Sequence, residues 1–247
     1  MNNISIVIPT YNTSKYFREA TELPIKSDFV KEIVVIDDCS AEEDWNNLQQ
    51  IVNELNCDKI KLYRNEKNLG GFRNKYLGVQ KASCDWVFLL DSDNFVEDAT
   101  LGIISGIENP DPNICYAPQV LMKHQGSFHG EHVVYDFKYD TIGVDEAQDA
   151  ILKRTKFFDW FMNTGNFVFN KEKYLKNLQN GFNSTDEPLF ACSIAFFYHW
   201  TINGGVYKIV DGWRYNHRFR DDSYWMSCGN NSTLSADYYR DKVVNLQ

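Results

Sequence analysis

Two aspartates stand one residue apart at the end of an apolar run, in Trp86-Val-Phe-Leu-Leu-Asp91-Ser92-Asp93. Carboxylates roughly 6 Å apart repel by roughly 3 kcal/mol at an effective dielectric of about 20. One of them is pushed toward protonation unless a cation intervenes. A hard divalent cation such as Mn2+ or Mg2+ prefers oxygen ligands and can also bridge to phosphate oxygens. The competing reading is a surface turn, because Asp, Ser and Asn are turn formers. Their position, directly after the most apolar segment, favours the cation.

Four other places carry groups able to do chemistry. Asp37 and Asp38 close the run EIVVIDD. The Ser40-Ala41-Glu42-Glu43 that follows reads as a helix capping box, which accounts for Ser40 and Glu43 but not for the two acids. A carboxylate there could accept a hydrogen bond from a nucleobase N–H. Asn68-Leu-Gly-Gly-Phe-Arg73 sets two glycines and a forked donor at a helix start, a combination that can approach phosphate. It matches neither G-x-G-x-x-G nor a P-loop, and a glycine pair is also an ordinary turn. Thr185-Asp186-Glu187-Pro188 opens an apolar segment. It reads as a helix N-terminus, with Pro and acids in the first turn, or as a carboxylate placed to take a proton from a bound hydroxyl. His217, in YNHRFRDD, is a surface histidine or one ligand of a metal shell.

Elements that could position these groups alternate along the first half. Apolar runs at 4–8, 32–36, 59–63 and 86–90 read as strands, with helices near 14–22, 41–55 and 72–82. Such alternation predicts a largely parallel sheet flanked by helices, and runs apolar on both sides fit strands buried on both faces. Ligands of parallel α/β sheets bind beyond the carboxyl ends of strands. Pro9-Thr10-Tyr11-Asn12, Asp37-Asp38, Arg64-Asn65 and Asp91-Ser92-Asp93 fall there. The second half is less regular: a helix over 97–107, strands at 114–117 and 133–137, a helix near 144–153, a strand at 166–169, a helix over 186–200 and a last strand at 206–210. From Trp213 aromatics mix with charge without a clear period. The aromatics Phe157, Phe158, Trp160 and Phe161 are either an acceptor platform or core packing.

Composition narrows the function classes. Of 247 residues, 43% are hydrophobic and 15% aromatic, enough for a substantial core in one domain covering 1–247. Residues 1–95 read as its nucleotide-binding half and 96–247 as an acceptor-binding half with tail. A net charge of -9 argues against nucleic acid as partner, so a phosphorylated ligand needs a local cation. Six scattered cysteines without Cys-x-x-Cys spacing predict reduced thiols rather than a zinc site or disulfide framework. The N-terminus has no secretory pattern, and no apolar stretch approaches the ~20 residues of a membrane span. The expected location is cytoplasmic, with docking at a membrane surface left open.

Together these segments resemble the inverting family-2 glycosyltransferases of the GT-A fold. ISIVIPTYN is similar to the family's first strand and loop, EIVVIDDCS to its second strand, NLGGFRNKYLG to its Asn-x-Gly…Arg-Asn segment and FLLDSDNF to its Asp-x-Asp strand end. NTGNFVFNKEKY and TDEPLF look like the acceptor-side and catalytic-base segments. The resemblance implies a single-domain α/β fold with a mixed, mostly parallel sheet. It implies transfer of a monosaccharide from a nucleotide-diphosphate sugar, UDP-sugar foremost, to a hydroxyl of a glycan or other acceptor. Pro9, Thr10 and Ser92 would line the donor site, Tyr11 would stack on the base and Asp38 would accept from it. Arg73 would fix the nucleotide, and Asp91 would lie near the ribose. Asp93 would bind Mn2+ or Mg2+ with His217 as a further contact, and Asp186 would be the general base, with Glu187 adjoining. Cys39 departs from the pattern, standing where Gly is usual, and an extra residue lies between Asn74 and Gly78. The absence of Q-x-x-R-W argues against a processive synthase. A non-catalytic nucleotide-sugar binding module and a sugar-phosphate nucleotidyltransferase are the competing readings. The latter would need a Gly-rich loop with Arg and Lys where PTYNTSK stands. A haloacid-dehalogenase-type phosphatase would carry its Asp-x-Asp after the first strand, not the fourth.

Overall fold

The computed structural model describes residues 1, 3–125, 128–135, 140–156, 158–163 and 165–246. Its frame is one eight-stranded sheet in the order β3-β2-β1-β4-β7-β5-β6, with β8 paired to β5. β1 (Ile4–Thr10), β2 (Val30–Asp37), β3 (Ile60–Arg64) and β4 (Trp86–Leu89) are mutually parallel. β7 (Val168–Asn170) and β6 (Phe128–Val134) run antiparallel to their partners, whereas β8 (Val206–Phe219) runs parallel to β5 (Ile114–Gln125).

The apolar runs become strands because both faces of the sheet are covered. All seven residues of β1 are buried. Val7 and Val34 face one core with Phe72, Tyr174, Phe196 and Tyr239, while Ile6, Ile8 and Val35 face the other with Phe17, Leu48 and Leu101. The first core is roofed by α3 (Gly71–Lys81), α7 (Lys171–Asn183), α8 (Cys192–Ile202) and α10 (Asn230–Val244). The second is roofed by α1 (Phe17–Lys26), α2 (Glu42–Leu55) and α4 (Asp98–Ser105). α1 follows a 3-10 turn over Ser14–Tyr16; α5 (Val144–Leu152), α6 (Phe158–Met162) and α9 (Tyr224–Ser227) complete the helices of the described residues. This agrees with the mixed, mostly parallel α/β sheet expected.

Several elements differ from expectation. The helix placed over 186–200 starts only at Cys192. Residues 184–191 are held in turns instead: Ser184 Oγ accepts from the Asp186 and Glu187 amides, and Ala191 N donates to Ser235 Oγ of α10. Ser40 does not cap α2. Ala41 is the N-cap residue, and the Ser40 hydroxyl bonds Asp37 and accepts from Asn12 N. The strand placed at 114–117 runs on to Gln125, and that at 206–210 to Phe219. The strand expected over 133–137 ends at Val134, and residues 136–137 lie outside the described residues. α7 and α10 had no counterpart in the sequence reading.

Candidate active site

Parallel pairing brings the carboxyl ends of β1, β2 and β4 to one edge, where their loops form a continuous wall. After β1, Asn12 has φ 54°, a left-handed conformation that Asn tolerates better than most residues. Its Oδ1 accepts from Ala41 N at 2.9 Å, and its own N–H donates to Ser40 Oγ at 2.8 Å. These bonds tie the first loop to the second and leave Tyr11 at the mouth, 44% exposed. After β2, buried Asp38 accepts from Asn65 Nδ2, Leu69 N and Gly70 N, each at 2.9 Å. Cys39 has φ 62°, which explains why glycine suits this position: a Cβ in the left-handed region costs about 1–2 kcal/mol.

The loop after β4 is gripped from several sides. Asp91 N donates to Asn166 Oδ1 at 3.1 Å, and Asp91 Oδ1 pairs with Lys75 Nζ at 2.8 Å. Burial alone would push the Lys75 ammonium down, but the Asp91 charge outweighs it and holds lysine protonated above its usual range. Gly165 lies against Asp91 so closely that a Cβ would come within 2.5 Å of Oδ2. Ser92 Oγ bonds Thr13 Oγ1 at 2.7 Å, which bonds Thr10 Oγ1 at 2.8 Å. Asp93 Oδ2 pairs with Arg220 Nε at 2.9 Å, and the Asp93 carbonyl accepts from Arg218 Nε at 2.9 Å. The repulsion between Asp91 and Asp93 is thus answered here by one cationic side chain each.

His217 lies on β8, half-buried, with Nδ1 2.8 Å from Tyr215 OH. Burial lowers its pKa, although Asp93 and Asp91 pull the other way, so the imidazole is neutral at pH 7 and suited to ligation. The Tyr215 oxygen also accepts from Asn94 Nδ2 at 3.2 Å. With the proton on Nδ1, His217 donates to that oxygen and keeps its Nε2 lone pair, the usual outer-shell support of a metal-binding histidine. Among the described residues no three or more His, Cys, Asp and Glu side chains form a ready-made metal cluster. Asp93 and His217, the two ligands expected from the sequence, line the same cleft and offer a carboxylate oxygen and an imidazole nitrogen, donors of the kind a divalent cation takes.

Pro9, Thr10, Tyr11, Asp38, Asp91, Ser92, Asp93 and His217 all line one cleft of about 1190 Å³, ample beside the about 300–1,000 Å³ of ordinary ligand pockets. Two expected site residues do not line it. Arg73 turns its guanidinium onto the Phe182 and Ser184 carbonyls. Asp186 is exposed, its Oδ1 bonded by Thr185 Oγ1, while Glu187 Oε2 bonds His199 Nε2 at 2.8 Å and accepts from Tyr239 OH at 3.1 Å. Of the expected aromatic platform, Phe158 and Phe161 are core residues, Trp160 stands on the cleft rim, and Phe157 lies outside the described residues. Sequence reasoning missed Lys75, Asn166 and Arg220. The alternation in Trp213-Arg-Tyr-Asn-His-Arg-Phe219 was the available signal for a strand carrying His217 and Arg218 to the cleft.

A parallel four-strand core with acidic strand ends, extended by a mixed sheet that returns a histidine to the same cleft, defines the GT-A class of fold. The profile of Glycosyl transferase family 2 matches residues 5–179, and the chain belongs to that family. It is 34% identical over 104 residues to the poly(ribitol-phosphate) beta-N-acetylglucosaminyltransferase TarS of Staphylococcus aureus, covering 41% of this chain and 18% of the relative. It is 23% identical over 176 residues to the glycosyltransferase GlyG of Streptococcus pneumoniae, covering 70% and 56%. The chain thus spans well under two thirds of the length of these relatives. The structure of S. aureus TarS 1-349 with UDP-GlcNAc superposes with TM-score 0.60 at 19% identity, over 98% of this chain and 70% of that one. GalNAc-T7 with UDP, GalNAc and Mn2+ superposes at 0.62 and 20%, over 88% and 43%. Among the described residues no helix is long and apolar enough to cross a membrane.

Proposed function

We propose that the protein is a metal-dependent, inverting glycosyltransferase that moves a monosaccharide from a UDP-sugar to a hydroxyl of a glycan or other acceptor. The convergence of Tyr11, Asp38, Asp91, Asp93 and His217 on one cleft carries this reading. The UDP-GlcNAc bound by TarS and the UDP and Mn2+ bound by GalNAc-T7 support it. Residues 1–95 supply the donor half of the site and 96–247 the acceptor half.

In this reading Tyr11 stacks on the base, and Asp38 offers it a remaining lone pair. Pro9, Thr10 and Ser92 line the donor site, and Asp91 lies beside the ribose. Asp93 and His217 would hold Mn2+ or Mg2+, and the chemistry such a cation would supply is Lewis-acid neutralisation of the leaving diphosphate. The acceptor hydroxyl approaches the opposite face of the anomeric carbon, past Trp160 on the rim. Its proton is assigned to Asp186, with Glu187 as the alternative, a contribution of about 10²–10⁴-fold for a base brought within reach of the hydroxyl. Asp186 is the freer member, and the turn holding it leads directly into the cleft wall at Phe190. Arg73 acts indirectly, fixing the carbonyls at the start of that turn.

Calorimetry with a UDP-sugar tests the proposal. Binding is expected to require Mn2+ or Mg2+ and to vanish in Asp93→Ala, whereas Asp186→Asn keeps donor binding and loses transfer. Metal-independent binding of equal strength would refute the cation role, and normal turnover of Asp186→Asn would pass the base role to Glu187.

A further inference from the structure

The cation at Asp93 in this structure is Arg220, and its setting differs from that of its neighbour Arg218. Arg218 is pinned: its main-chain N–H donates to Asn94 Oδ1 at 2.8 Å, its Nε to the Asp93 carbonyl, and its Nη2 pairs with Glu19 Oε2 at 2.6 Å. Arg220 sits one residue beyond the end of β8. It is 9% exposed and holds two carboxylates, Asp93 through Nε and Asp222 through Nη1, each at 2.9 Å. Its guanidinium stands 5.3 Å from the centre of the Tyr16 ring. Both carboxylates and Arg220 itself line the cleft.

A divalent cation on Asp93 would bring two positive charges beside this guanidinium, in a partly desolvated site where salt screens little. The two cations are incompatible until negative charge arrives to separate them. A diphosphate supplies that charge, and a guanidinium fork matches phosphate oxygens better than an ammonium does. The Asp222 partner is 64% exposed, so exchanging it for phosphate gives up little.

We propose that Arg220 is a placeholder for the metal: it neutralises Asp93 in the metal-free protein and shifts its fork to the donor diphosphate when a divalent cation takes Asp93. This rests on the donor reading above and deepens it, because it makes metal and nucleotide bind as a coupled pair. Neither is expected to bind tightly alone.

Calorimetry with Mn2+ alone, UDP alone and both together tests the coupling in wild type, Arg220→Gln and Arg220→Lys, with folding checked by thermal melting. In wild type, saturating UDP should tighten Mn2+ by at least about tenfold, an ordinary size for a binding coupling. Arg220→Gln should bind Mn2+ alone at least about tenfold more tightly than wild type, and lose most of the gain from UDP. Arg220→Lys, which keeps charge without the fork, should match wild type for Mn2+ alone and bind UDP with Mn2+ more weakly. Unchanged or weaker binding of Mn2+ alone by Arg220→Gln overturns the placeholder role. Should Arg220→Gln not fold, undiminished binding of UDP with Mn2+ by Arg220→Lys overturns it instead. If wild type binds UDP under neither condition, the donor reading itself falls and the placeholder with it.

Discussion

Asp38 shows how a single side chain organises one end of the cleft. Its carboxylate receives three N–H groups, two of them from the backbone of the glycine loop, so that loop is shaped around its two oxygens. Asp38→Asn would turn an amide NH2 against one of these donors. The expected cost is about 1–3 kcal/mol of stability, read as a lower urea midpoint at unchanged slope. The places of Tyr11, Asp38 and Asp93 just beyond strands were legible in the sequence because each follows an apolar run in a strand–helix alternation. Lys75 and Arg220 were not legible, since the acids that orient them lie 16 and 127 residues away and no local pattern announces the pairing. Arg73 was misread for the same reason. An arginine at a glycine-rich helix start suits phosphate, yet carbonyls more than 100 residues downstream claim it.

At the scale of elements, α3 shows how closely helix and sheet must approach to set the cleft floor. A Cβ on Gly78 would meet Val7 Cγ1 at 2.7 Å and Ile36 Cγ2 at 2.9 Å. Gly78→Ala is therefore expected to destabilise by about 1–3 kcal/mol through overpacking, despite alanine's better helix propensity. Thermal denaturation checks the sign: a raised melting temperature would mean that α3 can lift off the sheet. The strands of the first half and α2, α3 and α5 were read to within a few residues because burial on one face or two writes a plain period. The missed helices obey the same spacing with weaker letters. The buried residues of α7 are Tyr174, Asn177, Leu178 and Gly181, and those of α10 are Ser232, Ser235, Ala236, Tyr239 and Val243. Both sets recur every three or four positions, but two of the four in α7 and three of the five in α10 are polar or small and give no hydrophobic signal.

Across the whole molecule, the last helix is tied to the middle of the chain through Glu187, which bonds both His199 and Tyr239. His199 is 2% exposed, and its Nδ1 has no partner. Burial lowers its pKa more than Glu187 raises it, so the folded protein keeps a neutral ring. Because the folded value lies below the unfolded one, the stability contributed is present above pH 6.5 and is lost as pH falls through the folded value. His199→Gln cannot titrate. Its unfolding free energy is expected to fall less steeply than that of wild type between pH 7 and pH 5, measured by denaturant titration at each pH. Parallel slopes would mean that His199 takes up its proton as readily in the folded chain as in the unfolded one. Long-range ties of this kind also explain why the segment around Asp186 was taken for a helix. Pro and acids at 186–188 suit a first turn, but Ser184 beside them, His199 of α8 and Ser235 of α10, more than 40 residues from Ala191, hold the chain out of it.

The hydroxyl chain Thr10–Thr13–Ser92 joins the loop that carries Tyr11 to the loop that carries Asp93. Each hydroxyl has one proton to give, so turning one obliges the others to follow, and the two loops behave as jaws of a caliper with its screw set. Widening the gap between the jaws would break at least one of these two bonds, about 1 kcal/mol each. A molecule that fits the gap as it stands meets no such cost.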